Sequence, residues 1–395
     1  MKTKQLPQGW KEVELGELIK LRGGFAFKSV EFVKEGVPLV RISNFNNNEV
    51  DLNDAVFVPF EEYEKYPELQ LKENDLLIAM SGATTGKVGI ISKKNIPCLL
   101  NQRVGKFEIL NKNITWRYLY LFIKSKKFQN KVLSIAGGCA QPNISGKQIE
   151  SITLPLPPQY IQEQIVSILE KAEQLKEKRK KSIEVLDEYL KSVFSEMFLK
   201  KKFEIKKLGE IARLDMGGTP NTQIKDYWEN GNVNWMKSGD IKGDYIEEIK
   251  NKITEEGLKN SNAKIYEKGD IVMALNGQGK TRGTTAILGI KTSSNQSVAS
   301  IRSDYKIVNS EYIHFNLKHR YSELRNLTGD NQRSGLNLTI LRNLKIPLPP
   351  IPLQKEFASI VKHVEKLKEN QKKSQEEIEH LFNALMQKAF QGELI

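Results

Sequence analysis

Apolar residues fall along this chain in two alternating regimes. In the first, short apolar runs such as Leu76-Leu77-Ile78-Ala79 are separated by Gly, Asn and Pro, which reads as strands and turns with occasional helices such as Arg117 to Lys126. The second regime begins after each Pro-Pro pair and is a run of about 40 residues rich in Lys, Glu, Gln and Leu, long enough for one continuous helix. Stepping four and three residues from Ile161 meets Ile165, Ile168, Ala172, Leu175, Arg179, Ser182, Leu186, Tyr189 and Val193. The same steps from Leu353 meet Phe357, Ile360, Val364, Leu367, Gln371, Ser374, Ile378, Leu381 and Leu385. Both runs carry the seven-residue repeat of a coiled coil and both interrupt it at the same two steps, where Arg179/Ser182 and Gln371/Ser374 stand as polar layers.

That coincidence belongs to a wider repeat. Leu15-Gly16-Glu17 returns as Leu208-Gly209-Glu210, and Asn74-Asp75 through Met80 as Gly269-Asp270 through Leu275. Asn101-Gln102 returns as Asn295-Gln296, and Leu154-Pro155-Leu156-Pro157-Pro158 as Ile346-Pro347-Leu348-Pro349-Pro350. The offsets of 193, 195, 194 and 192 residues imply a duplication. The expected fold is α+β: two similar mixed α/β domains, 1–158 and 203–349, joined and spaced by long helices at 159–202 and 350–395. Two copies related by a pseudo-twofold axis would set those helices antiparallel.

Lys and Arg outnumber Asp and Glu 61 to 48, a net charge of +13 that favours a polyanionic partner. No stretch reaches the roughly 18 apolar residues of a membrane span and no secretory leader opens the chain, so the expected location is the cytoplasm without membrane attachment. Cys98 and Cys139 form no metal-binding spacing, and His314, His319, His363 and His380 stand among polar neighbours and read as surface residues.

Candidate contacts with DNA lie in loops that follow apolar runs. Val37 to Val40 leads into Arg41, Ser43 and Asn44, and Val233 to Met236 into Lys237, Ser238 and Asp240. Arg can pair with guanine and Asn with adenine through two hydrogen bonds apiece. Ser81 to Lys87 contributes Thr84, Thr85 and Lys87, and its repeat contributes Asn276, Gln278, Lys280, Thr281 and Arg282. Arg103, Gln141 and Asn143, with Gln332 and Arg333 in the second copy, complete the set. Ala274 to Thr281 also fits a relaxed phosphate-loop pattern, but Arg282-Gly283-Thr284-Thr285 is a poor helix start and Ala286-Ile287-Leu288 looks like a strand. A nucleotide-binding protein, and a basic coiled-coil scaffold that reads no DNA, are the competing functions.

The chain carries no Asp/Asn-Pro-Pro-aromatic tetrapeptide, no Gly-x-Gly-x-x-Gly turn, and no zinc deaminase pattern. Its domain-closing Pro-Pro segments with Gln162-Glu163-Gln164 and Gln354-Lys355-Glu356, the Leu-Gly-Glu openers and the C-terminal Ala389-Phe390-Gln391-Gly392-Glu393-Leu394 resemble the specificity subunit of type I restriction-modification systems. The resemblance covers the full length. It implies two target recognition domains on double-stranded DNA, each reading half of a bipartite site, with antiparallel helices as a ruler. It also implies docking to two adenine methyltransferase subunits and to restriction subunits that translocate DNA. S-adenosylmethionine and ATP then belong to those partners, and this chain needs no cofactor and performs no catalysis. Phe198 and Phe390 are the expected docking anchors, as large apolar side chains at the ends of the helices.

Overall fold

A computed structural model of the 395-residue chain describes residues 6–46, 48–137, 141–277, 279–327 and 335–395. The chain divides into two compact units, Met1–Arg179 with Ser374–Ile395, and Lys180–Lys373. The division cuts through both long helices, because half of each packs on the core of one unit and half on the core of the other.

In unit 1 the main sheet runs in the order Ile19–Gly23, Val104–Ile109, Leu76–Ala79, Val88–Ile90, Glu49–Val50, Phe45–Asn46. In unit 2 the order is Ala212–Met216, Val298–Ser303, Ile271–Ala274, Thr285–Leu288, Tyr245–Ile246. The first four strands of each sheet pair antiparallel and the fifth joins parallel, so the duplication holds at the level of topology. The third strands, Leu-Leu-Ile-Ala and Ile-Val-Met-Ala, are buried at every position, which is why they are apolar without alternation. A smaller sheet sets Val37–Val40 between Val56–Val58 and Leu99–Leu100, and Val233–Met236 between Lys252–Ile253 and Ser293–Ser294.

The segments that close each domain are built alike down to single hydrogen bonds. Lys11–Glu14 pairs antiparallel with Thr153–Leu156, and Glu204–Lys207 with Lys345–Leu348, bringing the domain's entry beside its exit. The fully buried Gln162 accepts from the Thr115 amide and donates to the carbonyls of Asn113 and Pro157. Gln354, also fully buried, accepts from the Asn309 amide and donates to the carbonyls of Ile307 and Pro349. Each glutamine thus satisfies three backbone groups at the root of a long helix, a role no apolar side chain fills. Asp75 caps the Lys72 amide and pairs with Lys106 at 2.7 Å; Asp270 caps the Glu267 amide and pairs with Arg302 at 2.7 Å.

The long helices span Gln159–Phe194 and Ile351–Ala389. Within unit 1, Ile165, Leu169 and Ala172 share a core with Phe382, Met386 and Phe390, and Lys176 pairs with Glu379 at 2.5 Å. Within unit 2, Leu190, Phe194 and Phe198 share a core with Phe357, Val361 and Val364, and Asp187 pairs with Lys368 at 2.6 Å. In unit 2 Asp187 meets Lys368 and, further along, Phe194 meets Phe357 with ring centres 5.4 Å apart, so rising numbers meet falling ones and the helical segments pack antiparallel. The strict seven-residue stripe drifts off the seam, however. Leu175, Tyr189, Leu367 and Leu381, expected in the core, are exposed, while Leu169, Leu190, Val361 and Phe382 are buried. A straight helix of 3.6 residues per turn slips about 20° per heptad, and here a globular core rather than a supercoil dictates the buried face.

One histidine also departs from expectation. His314 is buried on the helix Ser310–His319, with Nε2 3.0 Å from Asp244 Oδ1 and Nδ1 3.1 Å from Thr285 Oγ1, whereas His319, His363 and His380 are exposed. Burial alone would raise the Asp244 carboxyl, but the His314 hydrogen bond and the Lys318 ammonium outweigh it and hold it well below the usual carboxylate range. Cys98 is buried and its thiol is pushed up to about 12 by burial, which leaves it unreactive. Among the described residues no helix is long and apolar enough to cross a membrane, and no cluster of three or more His, Cys, Asp or Glu could hold a metal.

Candidate nucleic-acid interface

In unit 1 the strands Val37–Val40 and Leu76–Ala79 deliver their following loops to the same end of the domain. Backbone hydrogen bonds tie those loops together: Asn101 N to the Val40 carbonyl, Met80 N to Arg103, Gly82 N to Pro142, and Ile144 N to Met80. Arg41, Ser43, Lys87, Arg103, Gln141 and Asn143 are exposed on this end. Arg103 sits at φ +65°, a left-handed conformation that turns its side chain out of the strand entering at Val104.

Unit 2 repeats the convergence. Val233–Met236 delivers Lys237 and Ser238, Asn295 N donates to the Met236 carbonyl, Leu275 N to Ser297, and Leu336 N to Leu275. Lys237 and Lys280 are exposed, and the Lys237 ammonium lies 5.6 Å from the Trp235 ring centre. Asn276 is exposed, while Ser238 and Thr281 are half-buried at the loop bases.

Several candidates prove to be architecture. Asn44 is buried and its Oδ1 accepts the Arg41 amide at 2.9 Å; Asp240 accepts the Lys237 amide at 2.8 Å in the same way. Both spend a side-chain oxygen on a tight turn. Thr85 is buried with its hydroxyl donating to the Gly82 carbonyl, and the Thr84 Oγ1 is enclosed without a hydrogen-bond partner. Arg282 lies half-buried with its guanidinium on the Arg325 carbonyl. Gln278, Gln332 and Arg333 lie outside the described residues.

The phosphate-loop pattern fails for a structural reason. Turns at 279–283 run straight into the strand Thr285–Leu288, so no helix N-terminus stands behind Lys280. The loop is pinned instead by Tyr321 Oη on the Lys280 carbonyl and Arg325 on the Gly279 carbonyl.

Phe198 and Phe390 are also reassigned. Both are buried, Phe390 against Tyr118 and Phe122 with ring centres at 5.4 and 5.3 Å, and Phe198 against Tyr312 and Phe357 at 4.8 and 5.4 Å. Each fills its own unit's core and offers no surface to a partner. Sequence reasoning did not single out Phe25 and Gln102, which are exposed on the same end of unit 1; the signal beside them was Gly24, whose counterpart in unit 2 is Gly217.

The family model for the type I restriction modification DNA specificity domain matches residues 7–185 and again 200–380. The type I restriction enzyme MjaVIII specificity subunit of Methanocaldococcus jannaschii is 28% identical over 207 residues, 52% of this chain and 48% of that one, so this chain spans about half the length of that relative. The MjaIX specificity subunit of the same organism is 23% identical over 419 residues, covering 99% of this chain and 94% of its own. A chain solved in work on complex assembly and conformational transition of the type I R-M system has the same fold at a TM-score of 0.66 with 17% identity, over 99% of this chain and 100% of that one. With two family domains covering most of its length on a duplicated framework, the chain belongs to the family of type I restriction modification DNA specificity proteins.

Proposed function

We propose that this chain is the sequence-reading, non-catalytic subunit of a type I restriction-modification complex, with each unit reading one half of a bipartite DNA site. The observation that carries this is the convergence, in each unit, of exposed basic and amide side chains at the end of the sheet where the Val37–Val40 strand and its counterpart Val233–Met236 finish. Phosphate contacts from Arg41, Lys87, Lys237 and Lys280 supply affinity, and side chains such as Gln141 and Asn143 meet base edges. The net charge of +13 supports the same partner. Methyltransferase subunits, two copies of them, and translocating restriction subunits complete the assembly and bring S-adenosylmethionine and ATP. A cytoplasmic location follows from that role.

The reading loops differ between units in sequence and length, Met80 to Lys87 in the first against Leu275 to Thr284 in the second, so the two half-sites differ in sequence. Sequencing the methylated motifs in a strain expressing this chain with its methyltransferase partner tests the proposal. A gapped, non-palindromic motif is expected; a continuous or palindromic one contradicts two unlike readers.

A further inference from the structure

Phe25 is 43% exposed although its ring is held in place from two sides. Tyr66 stacks on one face at 4.9 Å between centres and 27° between planes, and Phe27 meets it edge-on at 5.1 Å and 80°. Its backbone is fixed as well, Phe25 N donating to the Leu100 carbonyl and Gln102 N to the Phe25 carbonyl at 2.8 Å. Gly24 makes this possible, since a Cβ there would run into the Asn101 carbonyl. The ring therefore stands beside Gln102 and Arg103, on the end of unit 1 that carries the basic loops.

A single rigid phenyl ring on a DNA-facing surface has two ordinary uses: as a wedge between base pairs, or as an apolar contact for the thymine methyl group. A wedge exposes both faces to bases, and Tyr66 already covers one. What remains free suits a methyl group in the major groove.

We propose that Phe25 reads a thymine 5-methyl group in the half-site met by unit 1; this rests on the DNA-reading function proposed above. At the matching position unit 2 carries no side chain. Gly217 N donates to the Val298 carbonyl as Gly24 N does to Val104, which makes Gly218 the counterpart of Phe25. A Cβ at Gly218 would run into the backbone of Asn262 and Ala263, so the space the phenyl uses in unit 1 is occupied by chain in unit 2.

The test uses the full chain with its methyltransferase partner and duplex libraries amplified with either dTTP or dUTP. The half-site of unit 1 is identified as the one whose preference shifts in Gln141→Ala. Replacing one thymine there by uracil should weaken wild-type binding about fourfold, the effect of withdrawing one methyl from an apolar contact, near 0.8 kcal/mol. Phe25→Ala should bind both duplexes equally at that position while still distinguishing thymine from uracil wherever the second half-site does. Phe25→Leu should keep part of the difference, and Tyr66→Phe, which keeps the stack, should keep all of it. Persistence of the fourfold difference in Phe25→Ala overturns the assignment, as does its loss in both half-sites together, or a defect confined to partner assembly. If wild-type protein enriches no sequence at all, the DNA-reading function itself fails; if it enriches two half-sites and Phe25→Ala changes nothing, only the role of Phe25 fails.

Discussion

The two ends proposed to read DNA share a scaffold and differ in what they hold out. Unit 1 presents a stacked aromatic ring, Arg41 and Arg103, with Gln141 and Asn143 alongside. Unit 2 has glycine at the ring's position, a Thr219 hydroxyl hydrogen-bonded to Gln296, and a long loop clamped by Tyr321 and Arg325. What repeats is whatever a backbone hydrogen bond demands. An oxygen must cap the turn after Arg41 and after Lys237, so Asn44 and Asp240 are interchangeable there, and both glutamines at the helix roots are kept because each serves three backbone groups. Side chains free of such duties vary, and these are the ones a bound duplex would meet.

The strongest way to probe this division is through the two phenylalanines at the helix ends. Phe390→Ala and Phe198→Ala should each cost about 3–5 kcal/mol, the range for emptying a buried aromatic site. Hydrogen exchange resolved by unit should show Phe390→Ala loosening unit 1 and Phe198→Ala loosening unit 2. Unchanged exchange with weakened partner binding would return them to the role of docking anchors.

A smaller effect separates the cores themselves. Unit 2 sets the half-buried Asp244 against the buried His314 and the exposed Lys318; in unit 1 Tyr120 stands in the place of His314 and stacks on Trp116 instead. Because the folded Asp244 carboxyl is held below the unfolded value near 4, its contribution is full above about pH 4 and is lost as pH falls through the folded value. Asp244→Asn should therefore destabilise unit 2 by about 2 kcal/mol at neutral pH, by weakening charge-assisted hydrogen bonds, and should remove part of its acid sensitivity. Unit-resolved exchange below pH 5 reads this directly; equal acid sensitivity of the variant and the parent would contradict it.

These cases also mark what the sequence made legible. The duplication, the strand ahead of each reading loop and the two long helices were readable because each leaves a one-dimensional trace: a constant offset, an apolar run, a stretch free of glycine. Burial at a given helical position was not, since Leu175 and Leu169 look alike until a globular core selects between them. The candidate site was half legible for a related reason. Polar type and loop position singled out Arg41 and Asn44 equally, yet only geometry reveals that Asn44 spends its oxygen on the Arg41 amide. His314 left no trace, as its partners Asp244 and Thr285 lie 70 and 29 residues away. Phe25 escaped because an apolar residue in a strand-rich region reads as core.

The finest distinction lies between two exposed lysines, Lys87 at the end of its loop and Lys280 in the middle of its own. Lys87 and Lys280 stand in loops of different construction, the first short and closed by the Thr85 hydroxyl, the second longer and tied to the helix Tyr321–Asn326. If both touch phosphate, each Lys→Ala change releases one fewer counterion on binding, so the slope of log affinity against log salt should fall by about 0.9 per lysine. Preference among sequences should stay as it was, because a phosphate contact carries no base information. The double variant should fall by about twice as much, since separate contacts add. A salt titration on the selected duplex measures all three. A changed base preference in Lys280→Ala alone would place that side chain in a groove, making the clamped loop of unit 2 a base reader where the loop of unit 1 is only an anchor.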